Sequence, residues 1–207
     1  RIVLFTPIYH SFFRFLEASD REITQCPLAL DDGRYQMDFD LYDTMMTGNE
    51  KMLVLSSPHN PGGRVWSREE LQGVANFAKR HDLIIISDEI HQDIVYSGHK
   101  HIPFTLIDQT TNDRLIMMSA TTKTFNIAGG HTGNVIIPDA KLRATFSKRI
   151  AALGISPNSF GIVMAKAGYS PAGAYWVDAL MLYLDENRKI FDTAMNNLPG
   201  IKSMPLE

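Results

Sequence analysis

Cysteine is all but absent. Cys26 is the single one among 207 residues, so no internal disulfide can form, and no Cys/His spacing of the zinc-site type occurs. A reducing compartment, which we read as the cytoplasm, is the expected setting. Basic excess is missing too: 20 Lys and Arg stand against 23 Asp and Glu, for a formal net charge of −3. Such a chain offers no electrostatic footprint for a phosphate backbone, and nucleic acid is not an expected partner. The longest apolar runs, such as Leu83-Ile84-Ile85-Ile86, fall far short of the ~20 residues a bilayer span requires, so no membrane association is expected. His10, His59, His99 and His101 follow no ligand spacing, and no metal is expected. An initiator Met and a signal-like segment are also lacking: the chain opens at Arg1 directly into Ile2-Val3-Leu4-Phe5 and stops at Pro205-Leu206-Glu207 in mid-pattern. The expectation is a piece of a longer protein.

What is present is ordinary globular composition, 44% hydrophobic and 21% charged, with length for one large domain or two small ones. Short β-rich runs alternate with longer amphipathic stretches. Ile2 to Phe5, Met52 to Leu55, Leu83 to Ser87, Leu115 to Met118 and Asn134 to Ile137 are the strand candidates, a rhythm that predicts an α/β fold with a mostly parallel sheet. The middle runs are continuously apolar rather than alternating, which predicts a sheet buried by helices on both faces.

Ser67-Arg68-Glu69-Glu70 reads as a capping box. The helix it opens carries Leu71, Val74, Ala75 and Ala78 on one face and Lys79, Arg80 and His81 on its last turn, where the helix dipole favours positive charge. It is predicted to end near His81. A second helix is predicted from Lys141 to Leu153, with Leu142, Phe146 and Ile150 on one side. A third, long helix runs from about Ala174 to Asn197, where Trp176, Ala179, Leu180, Tyr183, Asn187, Ile190, Phe191 and Ala194 share a face and Pro199-Gly200 then breaks the pattern.

Four loops after strand candidates carry chemistry: Thr6-Pro7-Ile8-Tyr9, Ser57-Pro58-His59-Asn60-Pro61-Gly62-Gly63, Asp88-Glu89-Ile90-His91, and Ser119 to Asn126 with Lys123 at its centre. Open α/β sheets bind ligands at this edge. Each feature alone has a simpler reading. Asn60-Pro61-Gly62 is turn chemistry, Asp88 can cap the next segment, Lys123 suits a solvated charge, and Tyr9 and His91 suit packing. Unrelated features, however, need not all fall at one edge of a sheet.

In that order and spacing, Ser57-Pro58-His59-Asn60-Pro61-Gly62-Gly63, Ser87-Asp88-Glu89-Ile90-His91 and Thr122-Lys123-Thr124-Phe125-Asn126-Ile127-Ala128-Gly129 resemble the fold-type I pyridoxal-phosphate enzymes of aminotransferase class I/II. The chain is most similar to the cystathionine β-lyase subgroup of the MalY/PatB type. The resemblance implies pyridoxal 5′-phosphate as cofactor and a three-layer large domain over residues 1–172, incomplete at both ends. Residues 173–207 would be a long connecting helix and the start of a C-terminal small domain, in a homodimer acting on an amino-acid substrate.

By the same resemblance Lys123 is the lysine that condenses with the cofactor aldehyde and then takes the substrate Cα proton. Asp88 pairs with the pyridine nitrogen, an attraction of about 5 kcal/mol at ~3 Å and an effective dielectric near 20, before desolvation. Asn60 donates to the phenolate oxygen, which His91 shares, and Tyr9 stacks on the ring face. A cis Asn60-Pro61 bond is expected to aim the Asn inward.

Phosphate binding departs from the wider pattern. Ala120 stands where many relatives have Ser and His131 where they have Arg, so Ser119, Thr122 and His131 are left as the candidate phosphate contacts, without a fixed charge. The helix N-terminus that receives the phosphate would precede Arg1, and the arginine that clamps the substrate carboxylate would lie beyond Glu207. The chain taken alone is therefore expected to be inactive. The leading activity is β-elimination from cystathionine or a cysteine S-conjugate to thiol, pyruvate and ammonia. The alternatives are transamination and a non-catalytic regulatory module.

Overall fold

The computed structural model describes residues 1–207. In chain order it comprises β1 (Ile2–Thr6), α1 (Ser11–Glu17), β2 (Ile23–Pro27), β3 (Ala29–Asp31), β4 (Arg34–Gln36), α2 (Phe39–Met45), β5 (Met52–Ser56), α3 (Arg68–Arg80), β6 (Ile84–Asp88), β7 (Leu115–Ser119), α4 (Thr121–Thr124), β8 (Asn134–Ile136), α5 (Ala140–Ala152), α6 (Ser159–Gly168) and α7 (Pro171–Asn196). Six strands form one sheet in the order β2-β1-β5-β6-β7-β8. All neighbours are parallel except β7 and β8. From β1 the chain first steps outward to β2, then returns past β1 to lay down β5, β6 and β7 on the other side. Such a reversal opens a crevice at the carboxyl ends of the strands.

The parallel α/β reading holds, and every strand candidate is a strand. The capping box is present: Ser67 Oγ accepts from Glu70 N at 3.2 Å and Ser67 N donates to Glu70 Oε2 at 2.7 Å. It starts α3, which buries Leu71, Val74, Ala75, Phe77 and Ala78 against Val3, Phe5, Leu53, Leu55 and Ile85 of the sheet. Each fully buried large side chain there contributes roughly 1.5–3 kcal/mol. The opposite sheet face has a smaller cluster of Ile2, Leu4, Ile8 and Val54, with Phe12, Phe13 and Leu16 of α1 packed on it.

Two expectations need correction. The sheet is not buried on both faces throughout, for β8 is an antiparallel edge strand whose residues are all exposed, and Ile84 and Ile86 of β6 are only half-buried. Nor does the apolar stripe of the last helix reach a core. The helix forms over 26 residues, but Gly173 is its only buried residue, and Tyr183, Ile190 and Phe191 face solvent at 63%, 69% and 56% exposure. Periodicity gave the helix and its apolar face, but only its start is covered, where Trp176 packs on Phe125 at 5.2 Å between ring centroids.

Candidate active site

The loop after β5 is held in a tight shape by its own polar groups. Ser56 Oγ accepts from Asn60 N at 3.1 Å and donates to Pro58 O at 3.2 Å, while His59 N donates to Arg64 O at 2.7 Å and Gly63 N to His59 O at 2.8 Å. The Asn60-Pro61 bond is cis. Gly62 has no room for a side chain: a Cβ there would lie 2.6 Å from Tyr35 Cδ2 and 2.8 Å from His59 Cδ2. His59 is buried, and its Nε2 lies 2.9 Å from the Pro7 carbonyl oxygen, to which it hydrogen-bonds. It thereby ties the loop after β1 to the loop after β5. Burial drives its ring pKa down to about 4, so it is a neutral strut.

Asp88 ends β6. Burial pushes its carboxyl up to about 6, against the opposing pull of the Ile90 N–H and the Lys123 charge; that N–H donates to Oδ1 over a long 3.4 Å. His91 is half-buried three residues on, and burial, then the Lys123 charge, hold its ring below the ordinary histidine range. Lys123 lies in α4, a four-residue turn directly after β7, exposed and in no ion pair. Asp88 and His91 thus both feel the Lys123 charge, as the strand order β5-β6-β7 requires. Asn60 and His91 meet in a cleft of about 310 Å³, with Ile94, Tyr96, Leu206 and Glu207 on its other walls.

Ser119 is buried at the end of β7 and Thr122 is half-buried on α4, and neither hydroxyl bonds to protein. Tyr9 is 39% exposed, its ring edge-on to His10 and Phe12, in the loop that His59 ties to the Asn60 loop. His131 makes no hydrogen bond to these residues. It stands exposed after a 3₁₀ turn in the left-handed region at φ 43°, and its ring has no hydrogen-bond partner.

Sequence reading passes over Tyr96, Asp93, Thr124 and the Arg64–Glu207 pair. Asp93 and Tyr96 share the loop of Asp88 and His91, which is the one signal that could have drawn attention to them. No group of three or more His, Cys, Asp or Glu could hold a metal ion, and no helix is long and apolar enough to cross a membrane.

The site joins an Asn loop, a half-buried Asp and a free Lys at the carboxyl ends of three adjacent parallel strands. The whole chain, residues 1–207, matches the family Aminotransferase class I and II, and it belongs to that family. Among curated relatives it is 35% identical to cystathionine β-lyase PatB of Bacillus subtilis (strain 168), over 99% of this chain and 53% of that protein. Among solved structures it is similar to OvoB, with a TM-score of 0.94 and 38% identity over 98% of this chain and 54% of that one. It is also similar to cystalysin from Treponema denticola, whose structure contains a pyridoxal 5′-phosphate cofactor, with a TM-score of 0.90 and 35% identity over 95% of this chain and 50% of that one. The chain spans about half the length of the relatives it matches.

Proposed function

We propose that this chain carries the cofactor-holding core of a pyridoxal 5′-phosphate-dependent carbon–sulfur β-lyase, which cleaves cystathionine or a related cysteine S-conjugate in the cytoplasm as a homodimer. The observation that carries the reading is a set of unpaired polar groups at one sheet edge. The Asp88 carboxylate and the Lys123 ammonium form no direct ion pair, and the Asn60 amide, the His91 ring and the Ser119 and Thr122 hydroxyls make no side-chain hydrogen bond to protein. Only His101 Nδ1 and Asn112 Oδ1 are sealed from solvent without partners, so these site groups remain open to a ligand. A molecule bearing a protonated ring nitrogen, a phenolate, an aldehyde and a phosphate matches them in kind.

When bound, the cofactor supplies an aldehyde for the substrate amine and a sink for the electrons of the Cα–H bond. Asp88 would pair with a protonated pyridine nitrogen, and that cation would relieve the energetic cost of burying the carboxylate. Asn60 and His91 would hold the phenolate side, Tyr9 would cover the ring, and Ser119 and Thr122 would offer hydroxyls to phosphate, with His131 a further donor. Lys123 would hold the aldehyde, and its amine is the group that would take the substrate Cα proton, the loss that lets a thiolate leave from Cβ. We assign residues 1–172 to the large domain and 173–207 to the connecting helix and the start of a C-terminal small domain; the sparse burial of α7 supports that division.

The lyase reading rests on relatives named for that activity, and transamination is the second reading because the family carries its name. Incubating the full-length enzyme with cystathionine, and separately with an amino acid and 2-oxoglutarate, decides between them. Pyruvate from the first is the expected result; glutamate from the second without pyruvate would overturn it.

A further inference from the structure

Lys123 sits on very little structure. The turn α4 has four residues and its N-cap, Ala120, makes no side-chain cap. After it Asn126 takes the left-handed region at φ 53°, so the chain leaves the turn at once. On one side the turn is held by packing, through the Phe125 ring 5.2 Å from Trp176. On the other it is held by one polar contact: Thr124, which is 1% exposed, donates from Oγ1 to Asp93 Oδ2 at 2.9 Å. No other side chain of the turn makes a hydrogen bond.

Asp93 belongs to the segment that carries Asp88 and His91. That segment is a pair of interlocked turns, closed by Gln92 N to Glu89 O and Ile94 N to His91 O at 3.0 Å each, and fixed to the neighbouring strand by Glu89 N to Met118 O at 2.9 Å. Asp93 has no cationic partner, so the Thr124 hydroxyl is the one side-chain donor it has. A hydrogen bond to an ionised acceptor is about twice as strong as a neutral one. The contact therefore joins, across 31 residues of sequence, the segment that presents Asp88 to the turn that presents Lys123.

We infer that Asp93 is a positioning residue: through Thr124 it fixes the Lys123 amine relative to Asp88 and His91. The inference rests on the proposed role of Lys123. Proton transfer at Cα needs the amine within a few tenths of an ångström of its place, and a misplacement of about 1 Å can cost on the order of 100-fold in rate. The Asp93–Thr124 bond removes the pivot that a single uncapped turn would otherwise allow.

The test uses the full-length holoenzyme and the variants Asp93→Ala, Thr124→Val, Thr124→Ser and the Asp93→Ala/Thr124→Val double. The readouts are kcat and KM separately and the pH midpoint of the visible absorbance band of lysine-held cofactor. Asp93→Ala and Thr124→Val should each lower kcat about tenfold or more, leave KM within about twofold, and move the midpoint. The double should be no worse than either single, because both remove the same bond, and Thr124→Ser, which keeps the hydroxyl, should behave as wild type. Additive losses, a wild-type midpoint in both singles, or a Thr124→Ser as impaired as Thr124→Val would overturn the inference. Should Asp93→Ala fail to fold, the Thr124→Val and Thr124→Ser pair decides alone. A wild-type enzyme in which borohydride fixes no cofactor to Lys123 marks instead the failure of the underlying reading.

Discussion

Arg64 donates from Nε to the Glu207 carboxylate at 3.1 Å, across 143 residues of chain. The guanidinium also meets both Glu70 oxygens at 3.0 Å and the Tyr35 carbonyl, while Glu207 accepts from Val65 N at 2.9 Å and pairs with Arg34. Glu207 N donates to Gly63 O at 3.0 Å. The segment beyond α7 is thus stitched to the loop that carries Asn60, and it forms a wall of the same cleft.

Both side chains are nearly solvent-free, at 7% and 2% exposure, so removing Arg64 leaves the buried Glu207 carboxylate with only the half-exposed Arg34 as counter-ion. Arg64→Ala should cost about 3–5 kcal/mol of stability, measured by denaturant unfolding. Burial alone would raise the Glu207 carboxyl, but the Val65 N–H and the two arginines hold it below the usual carboxylate range. A depressed folded pKa stabilises above the unfolded value and is lost as pH falls through the folded one. The gap between wild type and Glu207→Gln should therefore be full at pH 7 and should close in acid, below about pH 4.

Lys123→Ala in the full-length protein should abolish turnover and leave no borohydride-fixed cofactor on the chain. Fold should survive, since Lys123 is exposed and makes no ion pair; in cofactor-free protein a melting temperature within about 2 °C of wild type is expected, in line with surface substitutions costing under about 0.5 kcal/mol. Covalent cofactor elsewhere on that variant, seen by peptide mass spectrometry, would refute the assignment.

The parts of the site that can be read from sequence are those announced by the chain just before them. Asn60, Asp88 and Lys123 each come after a run of apolar residues, and a parallel sheet aligns the ends of such runs without further information. Where the signal is weak, elements escape notice. β2 alternates Ile23, Thr24, Gln25, Cys26 as a half-covered edge strand does. The β3–β4 hairpin rests on Asp32 and Gly33, at φ 43° and 77°, an Asp-Gly pair that is itself a hairpin signal. Asp93, Thr124, Arg64 and Glu207 cannot be read this way. Their roles are set by contacts across 31 and 143 residues, and local pattern says nothing of a side chain's distant partner. The exposed stripe of α7 shows the converse: periodicity tells which face is apolar, not what covers it.

Asp88 and His59 make opposite demands on stability in the same pH range. Burial raises Asp88 from 3.8 to about 6, so between pH 4 and 6 the folded state holds a proton that the unfolded state has lost, and stability falls as pH rises. Burial lowers His59 from 6.5 to about 4, so over the same span the unfolded state holds the extra proton, and stability rises with pH. Each shift of about two units corresponds to roughly 3 kcal/mol at most, and in the cofactor-free protein the two nearly cancel. Asp88→Asn removes one side of the balance. In cofactor-free protein it should match wild type at pH 4, gain on it through pH 6, and exceed it by up to about 3 kcal/mol at pH 7. Pyridoxal phosphate should reverse that order, because a protonated ring nitrogen beside Asp88 favours the carboxylate that burial opposes, and the variant lacks the charge to pair with it. Urea unfolding of both proteins at pH 4, 6 and 7.5, with and without cofactor, reads all of this. Equal stabilities at pH 7.5 without cofactor would show that Asp88 is not under the strain its burial implies. A variant that gains as much from cofactor as wild type would show that the carboxylate is not its partner.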